Sequence, residues 1–213
     1  MLWSEPRRRA LFLTTILGVF YIAPQGIAAP YVAELGYGPT MVGFVLASTG
    51  AGAIVGLSLF SRFVPACRRP VLLPVVCMFA GLPLILVLAH GGAYVAMVLF
   101  AVSNGLWCTQ VVMAVSFLAD LLRDNQRAQG MGLASSMNLT AQGVGTGLAG
   151  ALAQATSPTV AIALAGALSV GVALWPSVLW VKSRHRKAPA LPIRRHGPDS
   201  RRVAQEQLFG QRR

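Results

Sequence analysis

The chain has 213 residues, 55% hydrophobic and only 11% charged, with a formal net charge of +12 and a mean hydropathy of +0.62. A soluble domain carries about a quarter charged residues, so this chain lacks the polar surface to cover a water-facing globule, and its bulk belongs in a membrane. The positive charge sits in short loops and a C-terminal run, without interleaved aromatics or a recognisable binding motif, which argues against nucleic acid as a partner.

A helix needs about 20 mainly apolar residues to cross the hydrocarbon core. Six stretches meet that requirement, at about 10–33, 40–60, 71–89, 92–119, 131–153 and 159–181. The opening "MLWSEPRRRALFLTTILGVFY" resembles a signal peptide, but its apolar stretch outruns an h-region and further spans follow. It is read as a retained first helix. The connectors "SRFVPACRRP" and "DLLRDNQRAQG" carry Lys/Arg, whereas "ELGYGP", "HGG" and "QATSP" carry none. Together with Arg7, Arg8 and Arg9 and the basic tail, all 18 Lys/Arg fall on one side. By the positive-inside rule six spans then place both termini in the cytoplasm of a cell (inner or plasma) membrane protein. Residues 1–181 are expected to form a six-span transmembrane domain, and 182–213 a basic, disordered tail lying against anionic headgroups.

Cys67, Cys77 and Cys108 show no CxxC or Cys/His spacing. They read as reduced thiols, with no disulfide framework, metal or cofactor implied. The histidines (His90, His185 and His196) fall in loops or tail, and no buried Ser/His, Asp pair or His cluster marks an intramembrane enzyme.

Amides inside spans are costly unless paired, so their placement is informative. The first span has Gln25, on one helical face with Thr14, Gly18, Tyr21 and Ala28. Pro24 beside it is expected to bend the helix and free a carbonyl. In the fourth span Ser103, Asn104, Trp107, Gln110 and Ala114 share a sector. The fifth span holds two stripes about 100° apart. Ser136, Thr140, Gly143, Gly147 and Gly150 form the first, suited to close approach by a neighbouring helix. Ser135, Asn138, Gln142, Gly145 and Ala149 form the second, a polar seam. The second span has a similar small surface in Ser48, Gly52 and Gly56, with Gly43 and Gly50 nearby. For each amide, interhelical glue and solute contact fit equally well.

Spans one and four carry the bent or amide-lined faces, two and five the small-residue faces, and three and six are plain. A period of three spans is what an inverted repeat produces. In this order the chain resembles the C-terminal six-helix half of a bacterial, actinobacterial-like major facilitator superfamily transporter. "GLSLFSRFVPACRRP" is similar to the family's loop after the second helix of a half, G-x-x-x-D-R-x-G-R-R, with Ser61 in place of the aspartate, Arg62 matching, and Arg68 and Arg69 arriving late. "RDNQRAQGMGLASSMNLTAQGVGTGLAGALA" and "APQGIAAPYVAELGYGPTMVGFVLAS" resemble its fourth-to-fifth connector with fifth helix, and its seventh and eighth helices.

The resemblance implies an all-α membrane protein of two inverted three-helix repeats, half of a twelve-helix fold. It implies an exporter or permease moving a small organic solute by alternating access, paired with an N-terminal half or a second copy. Tyr21, Gln25, Asn104, Trp107, Gln110, Asn138 and Gln142 would line the path. Gly52, Gly56, Gly143, Gly147 and Gly150 would pack helices or halves, and Arg62, Arg68, Arg69 and Arg127 would tether cytoplasmic loops. Departures from the family are the six spans and the lack of an ionisable side chain deep in any span; Glu34 and Asp120 stand at the edges. These favour the alternative, a truncated, non-transporting membrane protein that at most binds a partner.

Overall fold

Proline, with its fixed φ and missing N–H, punctuates this chain, and its positions account for where helices start, break and bend. The computed structural model describes residues 6–89, 92–122 and 124–185; the tail expected to be disordered lies largely outside them. The first apolar run consists of four consecutive pieces, α1 (Pro6–Ile16), α2 (Gly18–Tyr21), α3 (Ala23–Gly26) and α4 (Ala28–Glu34). Pro24 and Pro30 cannot donate to the carbonyls of Phe20 and Gly26, four residues back. A 45° bend separates Arg8–Gly26 from Ala28–Glu34. The chain turns without parting there, because Gly26 N still donates to Ile22 O and Ile27 N to Ala23 O, at 2.9 and 3.1 Å. α4 stops in a Schellman arrangement: Gly36 takes a φ of 77°, its N–H donates to Ala33 O, and Tyr37 N–H donates to Val32 O. A side chain would strain at that φ, so glycine belongs there.

Pro39 at the first helical position opens α5 (Pro39–Phe63), a placement where its missing N–H costs nothing. The third run consists of α6 (Arg69–Phe79), which holds Pro74 in its interior, α7 (Leu82–Leu86), which opens at Pro83, and a 3₁₀ turn, Val87–Ala89. Three long helices follow: α8 (Ala93–Leu121), α9 (Asp124–Ala155) and α10 (Pro158–His185). The described residues contain no strand.

Four helical stretches are long and apolar enough to cross a membrane, namely Pro39–Phe63, Arg69–Ala89, Ala93–Leu121 and Pro158–Lys182, and the bent pair α1–α4 makes a fifth if it counts as one span. α9, with 32 residues, has the length but is not among them, since its glycines, amides and hydroxyls dilute its apolar character. The expected six spans therefore reduce to four or five on apolar length. Large exposed apolar side chains such as Ile54, Leu139 and Phe63 suit a hydrocarbon surrounding rather than water.

Helices in a bilayer gain little from hydrophobic exclusion and associate where small residues let backbones meet. α5 crosses α8 in this way: a Cβ on Gly52 would collide with the Ala101 backbone, and one on Gly56 would stand 2.7 Å from Gly105 Cα. α9 meets α2 where Gly145 abuts the Val19 carbonyl, and Gly166 of α10 lies against Gly81 and Leu84. The proline breaks are closed from outside. Pro74 leaves the Pro70 carbonyl without its helical donor, and the Trp180 indole donates to it at 2.8 Å. At the α6–α7 break Ser103 Oγ donates to Ala80 O at 2.7 Å and the Tyr21 hydroxyl to Cys77 O at 3.1 Å. Backbone groups freed at membrane depth need partners of this kind.

Candidate functional site

The break at Pro24 brings Gln25 to the edge of α3, half-buried beside α8. Asn104, one helix away, is 8% exposed. Its Nδ2 donates to the Thr49 carbonyl on α5 at 2.7 Å, and its Oδ1 accepts from Gln25 Nε2 at 3.5 Å. One amide thus joins α3, α5 and α8. Two turns further along α8, Gln110 is fully enclosed and donates from Nε2 to Thr14 O on α1 at 3.3 Å. Between them Trp107 is half-buried, its ring centroid 6.3 Å from that of Tyr21. On α9, Asn138 and Gln142 are half-buried.

These residues differ in what they expose. Tyr21, at 3%, and Gln110, at 0%, are sealed by the chain's own helices, and the Tyr21 hydroxyl and Gln110 Nε2 donate to backbone carbonyls. Gln25, Trp107, Asn138 and Gln142 keep part of their surface open. Among the seven path candidates, three buried polar atoms have no hydrogen-bond partner: Trp107 Nε1, a donor, and Gln110 Oε1 and Asn138 Oδ1, both acceptors. Leaving such a group unmet costs about 1–3 kcal/mol, so each marks a place where water or a solute would be held.

The two stripes of α9 divide their work in the reverse of the expected order. Gly143, Gly147 and Gly150, expected to receive a neighbouring helix, face open space, with nothing within 4 Å of a Cβ at any of them. Gly145, on the polar stripe, makes the close approach instead. The reason is local: the α2 turn places the Val19 carbonyl and the Ile22 side chain against that side of α9. Gly43 and Gly50 of α5 are likewise open, while Gly52 and Gly56 meet α8.

Among the loop cations, Arg62, Arg68 and Arg127 are exposed. Arg69 is half-buried, donates from Nε to Val64 O at 3.3 Å and lies over the Phe60 ring at 5.8 Å, so it shapes its own loop. Apolar concavities lie between α1–α2 and α10, along the α5–α8 crossing, and at the N-terminal ends of α5 and α8. None is lined by the seven path candidates. Among the described residues no three His, Cys, Asp or Glu side chains gather as metal ligands.

Sequence reasoning missed two contacts. Glu34 accepts from both the backbone N and Oγ1 of Thr159 at 3.0 Å, and Trp180 serves Pro70. An interior Pro74 does name the carbonyl it orphans, but not the side chain that comes to it.

Long apolar helices packed through glycines, with broken spans closed by neighbouring side chains, define a multi-pass helical membrane protein. The family model of the Major Facilitator Superfamily matches residues 11–212. The chain belongs to that superfamily and is one of its membrane transporters. No curated protein and no solved structure matches it.

Proposed function

We propose that these residues form one six-helix half, as two inverted three-helix repeats, of a secondary active transporter that moves a small organic solute by alternating access. The observation that supports it most is the pair of unpartnered buried atoms on residues that keep open surface, Trp107 Nε1 on α8 and Asn138 Oδ1 on α9. One donor and one acceptor beside an indole suit an amphipathic solute with a polar head. Gln25, Trp107, Asn138 and Gln142, which keep open surface, make direct contact. Tyr21, Asn104 and Gln110 hold the helices that present them.

The partner half, an N-terminal six-helix unit or a second copy, packs on the open faces of α5 and α9 at Gly43, Gly50, Gly143 and Gly147. Arg62, Arg68 and Arg127 reach from the cytoplasmic loops to that half, with both termini in the cytoplasm of the plasma membrane. Among the described residues Glu34 and Asp120 are exposed at helix ends, so any titrating coupling group belongs to the partner. A non-transporting membrane protein is the second reading, favoured by the sealing of Tyr21 and Gln110 among the chain's own helices.

The test is efflux or uptake of a panel of amphipathic organic solutes by membranes holding the whole assembly, with a Gln25→Leu/Asn138→Leu variant. The proposal expects flux to vanish while the amount inserted in the membrane is unchanged. Full flux by the variant would overturn it. An Asn104→Leu/Gln110→Leu variant also loses flux but discriminates less, since both amides tie helices together.

A further inference from the structure

The groove between α1–α2 and α10 has a volume of about 420 Å³. Its walls are apolar, including Leu13, Leu17, Phe20 and Val172, except where Arg9 and Trp175 enter the lining. The Arg9 guanidinium lies 6.0 Å from the Trp175 ring centroid, and its neighbour Arg8 donates to the Leu121 carbonyl at 2.8 Å.

Two properties identify the occupant. The first is length. From Arg9 to Phe20 the wall climbs about 16 Å at the helical rise, close to one leaflet of a ~30 Å hydrocarbon core. The second is charge placement. An arginine heads an otherwise apolar, leaflet-deep channel, and a guanidinium binds phosphate oxygens in a paired geometry. Trp175 beside it is 60% exposed, and tryptophan favours the headgroup level, where one edge is wet and the body apolar.

We propose that this groove holds one acyl chain of an anionic phospholipid, its phosphate on the Arg9 guanidinium. The lipid fills the gap between the first and last helical runs and fastens them at the membrane face where α1 begins.

Native mass spectrometry of the delipidated full chain tests this, with phosphatidylglycerol or phosphatidylcholine of identical chains added back. The expected result is about a fivefold preference for phosphatidylglycerol, the effect of one basic residue near a lipid headgroup. Arg9→Gln should abolish the preference and Arg9→Lys should keep it. Val172→Trp, which fills the groove, should lower retention of both lipids. Equal retention of the two lipids by the unmodified chain would overturn the proposal. So would a preference that survives both Arg9→Gln and Val172→Trp, which would put the lipid elsewhere.

Discussion

The Asn104 amide donates to the Thr49 backbone carbonyl at 2.7 Å. Thr49 sits in the middle of α5, where an ordinary helical bond already uses its carbonyl, so the asparagine adds a second bond to the free lone pair. The contact lies where Gly52 and Gly105 bring the two helices into backbone contact. Small residues permit the approach, and the amide locks its register.

Asn104→Leu removes that lock and the bond to Gln25. The loss should be about 0.6–2 kcal/mol, the range for interhelical amide bonds in membranes. It would be read as a lower thermal midpoint in detergent. An unchanged midpoint would mean the amide carries no structural share.

Trp180→Phe leaves the Pro70 carbonyl without a donor while preserving an aromatic ring beside Phe117, with which Trp180 stacks at 5.8 Å. A cost of about 1–3 kcal/mol is expected for the unmet carbonyl. Pro74→Ala restores an N–H in register with Pro70, so the double variant should lose less than the sum of the two single variants. Strict additivity in this cycle would show that Trp180 and Pro74 are not coupled through that oxygen.

Gly145→Ala and Gly147→Ala differ by two positions on one helix and should differ in sign. A Cβ at Gly145 strikes the Val19 carbonyl and Ile22, which should cost about 1–3 kcal/mol through overpacking. A Cβ at Gly147 meets nothing in this chain, and alanine's helix propensity should stabilise by up to about 1 kcal/mol. Midpoints of the two purified variants on either side of the parent would bear this out. Two equal shifts would contradict the packing of α9 on α2.

Glu34→Ala deletes the acceptor that holds Thr159 in the first turn of α10, where the backbone N–H groups have no helical partners. A loss of about 1 kcal/mol is expected, as for other side-chain caps. Faster amide exchange at the start of α10 would report it locally. Unaltered protection there would show that the contact is incidental.

The helical class and the placement of the apolar runs are legible from hydropathy alone, because the runs from Pro39 onward all fall in helical stretches, and a proline or glycine opens α5, α7, α8 and α10. The bend near Gln25 is equally legible, since Pro24 and Pro30 each remove a named hydrogen bond. The partner of each stripe on α9 is not. Residue spacing separates Gly143 and Gly147 from Gly145 by angle, but both stripes are small enough to admit a helix. The turn at Val19 in a distant segment decides between them. The side chains that close the proline breaks are hidden for the same reason: Ser103, Tyr21 and Trp180 lie 23, 56 and 110 residues from the carbonyls they serve. The expected fifth span also shows the limit of apolar length as a criterion. α9 gives up hydrophobicity to its glycines, amides and hydroxyls, and that weakens the signal by which a span is recognised.

The central claim is that the seam beside α9 is an aqueous solute path, and impermeant-maleimide labelling of single cysteines in sealed vesicles tests it most directly. In a background with Cys67, Cys77 and Cys108 replaced, Asn138→Cys and Gln142→Cys are expected to react. Leu168→Cys, on the exposed apolar face of α10, should stay unlabelled in the lipid. Modification at positions 138 and 142 that slows when a transported solute is added would be the predicted result. Silence at both positions, with the chain inserted and a loop cysteine at position 67 reacting normally in inside-out vesicles, would contradict the account.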